Sequence, residues 1–169
     1  MNISDNEAIS DATFNPHFCF RAGAEIEYVL PFGMKTWSMF IAPSYLSLNT
    51  SKDVVISTSL DSFRATVAGQ FRFFELPIGV RHTLCFGDDD GLFFDAAYVL
   101  VLNNNSSFTI NYPSPRNLDI QNGGGGAFGC GYFYKNLSAE VLYYTKREYL
   151  RAWDSGYQDV SFNIGYKIF

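Results

Sequence analysis

With 169 residues, a net charge of −5 and scattered lysines and arginines, the chain has room for one domain, 1–169, and offers no basic patch for nucleic acid. Phe, Tyr and Trp make up 18% of it and charged residues 17%, yet no run of 18 apolar residues occurs, so no transmembrane helix is encoded. Cys19, Cys85 and Cys130 are odd in number and far apart; they fit neither a zinc site nor a full disulfide framework and read as three unrelated buried thiols.

In chain order, residues 1–7 lack the basic and apolar regions of a secretory leader. An exported protein needs one, so for an exported chain the expectation is that a leader was removed or that further sequence precedes Met1. Period-2 alternation then recurs in seven segments: 18–30, 37–48, 69–86, 92–103, 122–134, 138–149 and 157–169. The first places Phe20, Ala22, Ala24, Ile26, Tyr28 and Leu30 on one face and Arg21, Gly23, Glu25 and Glu27 on the other. The third opposes Leu76, Ile78, Val80, Leu84 and Phe86 to Glu75, Gly79, Arg81 and Thr83. The fourth sets Leu92, Phe94, Ala96, Tyr98, Leu100 and Leu102 against a face with Asp95. The last alternates Val160, Phe162, Ile164, Tyr166 and Ile168 with Asp159, Ser161, Asn163, Gly165 and Lys167. Glu140 and Lys146 add charge to the sixth segment.

Short connections (31–36, 87–91, 135–137) alternate with longer polar ones (49–68, 104–121, 150–156). Outer-membrane barrels have that topology, with tight periplasmic turns and longer extracellular loops. The fold class read from this pattern is all-β: an antiparallel up-and-down transmembrane β-barrel. Seven strands are visible where an even number is the rule. Parity therefore predicts an eight-stranded type whose opening strand is absent or irregular, with residues 1–16 as a first extracellular loop or irregular segment. Within 49–68, the β-like stretch Val54–Thr58 reads as a strand extension above the membrane.

Alternation does not say which face is inside; a soluble barrel or sandwich would put the charges in water. The membrane reading puts Arg21, Glu25, Glu27, Glu75, Arg81, Asp95, Glu140 and Lys146 in the lumen as a charge network. Ionised groups are tolerated there only when paired, and eight strands leave just enough room for side chains. The expectation is a filled lumen. Aromatics gather at segment ends: Phe32, Trp37, Phe86, Phe93, Phe133, Tyr134 and Phe169 at one side, Tyr149, Trp153 and Tyr157 at the other, as interfacial girdles do.

The closing strand, with Val160, Phe162, Ile164, Gly165, Tyr166, Ile168 and terminal Phe169, resembles the C-terminal assembly signal that the barrel-assembly machinery reads in outer-membrane proteins. Phe169 departs from it by falling in phase with the polar residues. Phe20–Phe32, Glu75–His82, Ala127–Tyr134 and Tyr143–Leu150 resemble stretches of the porin-like outer-membrane β-barrel domain family. That resemblance covers about residues 18–169. It implies the outer membrane of a Gram-negative bacterium, with lipid and the assembly machinery as partners, and names no activity.

Catalytic chemistry finds little support. His17, Asp154 and Ser155 all fall at the predicted extracellular rim, but their spacing demands no triad. His82 is placed on the lipid face. Gly123–Gly126 lacks the Lys-Ser/Thr of a phosphate loop, and Asp88–Asp90 offers too few ligands for calcium. The expectation is no enzyme, no cofactor and no metal. Segments 49–68 and 103–121 are the candidate contact surface for an extracellular ligand. A small channel, a rim lipid-modifying enzyme and a soluble β-barrel binder are the alternatives.

Overall fold

Alternating sequences form strands because successive side chains point to opposite faces, so one register satisfies both an apolar and a polar surface. A computed structural model describes residues 19–33, 36–57, 62–112, 114–118, 120–148 and 156–168. Among the described residues there are eleven strands: β1 (Phe20–Gly23), β2 (Ile26–Val29), β3 (Trp37–Ile41), β4 (Ser44–Ser57), β5 (Ser62–Cys85), β6 (Asp90–Asn103), β7 (Ser107–Tyr112), β8 (Ser114–Leu118), β9 (Gly123–Tyr134), β10 (Leu137–Glu148) and β11 (Gly156–Tyr166). All pairings are antiparallel, and the described residues contain no α-helix.

The strands make seven crossings, because β1 and β2 are one crossing and β3 and β4 another. The breaks face each other: Ala24 N–H donates to the Pro43 carbonyl at 3.0 Å, beside the one residue there with no N–H to give. The crossings follow one another as a meander, curled into a half-barrel with β1/β2 at one edge and β11 at the other. Among the described residues neither edge has a further paired neighbour. One set of ends has tight turns. Gly33, at φ 62°, lies between β2 and β3, and Lys135 and Asn136 alone join β9 to β10, with Lys135 at φ 54°.

At the other ends the connections are more ordered than their polarity implied. Residues Ser44–Ser57 pair with Ser62–Glu75 without a break, so segment 49–68 continues β4 and β5 as an extension. Segment 104–121, expected to be a loop, contains the β7–β8 hairpin. It pairs back onto β5, from Thr66↔Asn111 to Gln70↔Ser107. The physical reason is that β5, at 24 residues, outruns its partner β6 and leaves an edge for β7 to satisfy.

Curvature decides which face is inside. Glu75, Arg81, Asp95 and Ser38 are buried on the concave side, while Ile78, Val80, Phe94, Tyr98, Phe128, Val141 and Ile164 are exposed on the convex side. Nearer the long-connection end the interior is apolar: Leu46, Phe73, Val99, Val101, Ile120, Ala127 and Tyr144 form one cluster. The cysteines correct an expectation. All three are exposed: Cys130 shares the convex phase of Phe128 and Tyr132, and Cys19 and Cys85 lie at strand ends.

Candidate functional site

The concave charges form two clusters. In the first, Arg81 on β5 stands opposite Asp95 on β6 and Ser38 on β3. Its Nε and Nη2 donate to the two oxygens of Asp95 at 2.8 and 2.7 Å. Its Nη1 and Nη2 donate to the two oxygens of Glu25 at 2.6 and 3.1 Å, and Nη1 also reaches Glu27 at 3.4 Å. A planar five-donor guanidinium is the side chain that can serve two carboxylate forks at once. Glu27 accepts a further bond from Ser38 Oγ. The Phe40 and Phe93 rings lie 5.1 and 4.3 Å from the guanidinium carbon. Such contacts suit Arg, whose weakly hydrated cation rests on aromatic faces.

Backbone spacing makes this packing fit. Phe93 pairs directly with Gly131 on β9, and a Cβ at Gly131 would run into the Phe93 ring. Glu140 on β10 belongs to the same cluster, beside Asp95 and Arg81. Its Oε2 accepts from Asn163 Nδ2 at 3.2 Å.

The second cluster spans the sheet from edge to edge. Arg21 Nη2 on β1 lies 2.9 Å from Glu75 Oε2 on β5 and 3.2 Å from Asp159 Oδ2 on β11. The Tyr144 ring of β10 lies 4.2 Å from its guanidinium carbon. Side chains thus bridge the interior where backbone pairing does not.

Of the charged residues singled out in the sequence, Arg21, Glu25, Glu27, Glu75, Arg81, Asp95 and Glu140 all meet in these two clusters. The Lys146 side chain lies outside the described residues. Val160, Phe162, Ile164, Tyr166 and Ile168 point outward from β11 or just beyond it. Gly165 packs against Ser138, and Phe169 lies outside the described residues. The sequence reading did not assign roles to Ser38, Phe40, Phe93, Tyr144, Asp159 and Asn163 in this network. Their phase was the available signal, since each alternates onto the concave face.

Elsewhere, His17, Asp154 and Ser155 lie outside the described residues, so the rim triad has no geometry to weigh. His82 is on the convex face, packed edge-to-face on Trp37 with ring centroids 4.5 Å apart. Gly123–Gly126 is regular strand paired with Tyr98–Val101. Asp90 accepts from Tyr132 Oη at 3.3 Å, and among the described residues no group of three acidic, His or Cys side chains is disposed to hold a metal. A shallow groove of about 290 Å³ lies at the base of the extension, lined by Asn49, Gln70, Ser107 and Thr109.

No protein-family model, curated protein or solved structure matches this chain.

Proposed function

We propose that this chain forms the wall of an eight-stranded-type β-barrel in the outer membrane of a Gram-negative bacterium. Its role there is structural or interactive, with a filled lumen and its extended hairpins as the contact surface. The observation that carries the reading is the inverted distribution of polarity. Ions are buried on the concave side and a band of large apolar side chains is exposed on the convex side, the arrangement lipid requires and water penalises. The two arginine clusters and the apolar layer of Leu46, Phe73, Val99, Val101 and Ile120 fill the interior, which supports a plugged lumen over an open pore.

Folding into membranes proceeds through the barrel-assembly machinery, which would read the closing strand. The surface that meets extracellular ligands comprises the β4–β5 extension and the β7–β8 hairpin, segments 49–68 and 103–121. The test is heat-modifiable gel migration of detergent-folded protein together with planar-bilayer recording. A compact band that shifts on boiling, without discrete conductance steps, is the expected result. Monomeric solubility without detergent would overturn the membrane reading. Steady single-channel currents would replace the structural role by a cation-conducting one, which the carboxylate-rich interior would favour.

A further inference from the structure

The outward face of β5 changes character twice between Phe74 and Gln70. Phe74 and its cross-strand neighbour Leu102 on β6 are 51 and 52% exposed, and the Tyr45 ring of β4 lies against Phe74 with centroids 5.3 Å apart. Two residues further along, Arg72 is exposed on the same face and paired with Ser47, with Phe20 of β1 beside Ser47 at that level. Two residues more bring Gln70, flanked directly by Asn49 on β4 and Ser107 on β7. The order is apolar, then cationic, then neutral and polar. Strand rise puts Arg72 about 7 Å and Gln70 about 14 Å past Phe74, the last large apolar side chain of that series.

The cation and the groove above it are both built features. Ser106 Oγ accepts from the Arg72 N–H at 2.8 Å and donates to the Arg72 carbonyl at 3.0 Å, which fixes the backbone that carries the guanidinium. Among the described side chains no carboxylate pairs with Arg72. The groove of about 290 Å³ is lined by Asn49, Gln70, Ser107 and Thr109 together with Ala68 and Gly69, and none of the six is ionisable. Amides and hydroxyls present donors and acceptors to a hydroxyl-rich ligand. The lining has no aromatic or large aliphatic anchor of the kind protein partners use, and a single guanidinium is too little charge for nucleic acid.

Resting on the membrane-barrel reading above, we propose that this face holds a phosphorylated glycolipid of the surrounding leaflet. Its acyl chains lie along Tyr45, Phe74 and Leu102, a phosphate pairs with Arg72, and sugar hydroxyls bond to Asn49, Gln70 and Ser107 in the groove. The spacing selects the class of lipid. Headgroups add about 5–8 Å to each side of the hydrocarbon core, which reaches Arg72 and stops short of Gln70. A headgroup prolonged by sugars meets both.

The test titrates the 169-residue chain, folded in detergent micelles, with three fluorescent lipids read by anisotropy. They are lipopolysaccharide truncated to its inner sugars, lipid A, which keeps the phosphates and lacks those further sugars, and phosphatidylglycerol. The truncated lipopolysaccharide should bind about fivefold or more tighter than lipid A. N49A/Q70A, at two exposed positions, should lower its affinity to that of lipid A and leave lipid A binding unchanged. R72Q should weaken both by about fivefold. Equal affinity for lipopolysaccharide and phosphatidylglycerol would overturn the proposal, as would binding that neither variant alters, or no binding by folded protein. Delipidated sugars binding as tightly as the intact glycolipid would overturn it in favour of a soluble glycan. A heat-modifiable band in every sample separates these results from failure of the barrel reading; its absence from wild type would sink that reading and this site with it.

Discussion

Replacing Arg81 by methionine keeps an unbranched apolar stem and removes the cation that organises the first interior cluster. Asp95 then loses both bonds, at 2.7 and 2.8 Å, in a site where 1% of its side chain is exposed. Breaking a buried ion pair from one side costs about 3–5 kcal/mol, because the remaining charge stays desolvated. Glu25 and Glu27 are about one-third exposed, and solvent screening limits each to about 0.2–1 kcal/mol. R81M should therefore lose about 3.5–7 kcal/mol in all. R81K keeps the charge and forfeits the two-fork geometry, for an intermediate loss of about 1.5–3 kcal/mol. R81M/D95L should recover much of the R81M loss, since a matched apolar pair leaves no charge stranded at that position. The assay is urea unfolding of protein folded in lipid vesicles, read by tryptophan fluorescence and by the fraction migrating as the compact band. An R81M protein within about 1 kcal/mol of wild type would refute the reasoning, as would R81K proving as damaging as R81M.

Three further outcomes are expected. I78R, in the middle of the convex face of β5, should cost about 2–4 kcal/mol of stability in vesicles, whereas a water-facing site would register about 0.5 or less. G131A should destabilise by about 1–3 kcal/mol through collision with Phe93. F93L should relieve the part due to the ring, leaving the Ala139 carbonyl oxygen at 2.7 Å, with a coupling of about 0.5 kcal/mol or more in a double-mutant cycle. F73A, which empties a 2%-exposed position of the apolar layer, should cost about 3–5 kcal/mol by the same urea titration.

The sequence disclosed the crossings because alternation is a local property. Leu76, Ile78 and Val80 against Glu75, Gly79 and Arg81 fix the two faces of β5 with no knowledge of its neighbours. Alternation was silent on which face is concave, since that depends on the curl of the whole sheet. Partner choice was also hidden. Arg21 meets Asp159 across 138 positions, and only closure of seven crossings brings them together. Phe93 read as an interfacial aromatic because it lies near a turn, yet it shares the inward phase of Asp95 and lies over Arg81. Segment 104–121 read as a loop because Asn, Ser and Pro dominate it. Polarity there marks exposure to water rather than absence of pairing, and the protruding edge of β5 supplies a partner for it.

That protrusion also sets a distance. Residues 49–57 and 62–70 are paired continuously, nine in each strand, which is about 30 Å of ladder beyond the body of the sheet. An apolar belt of such barrels is about 25 Å tall, so in the proposed orientation the ladder stands off the membrane by a comparable length. The shallow groove between Asn49 and Ser107 lies at its base. In the proposed orientation the extension would act as a spacer, and shortening it by whole pairs of residues would lower that standoff without disturbing the wall below.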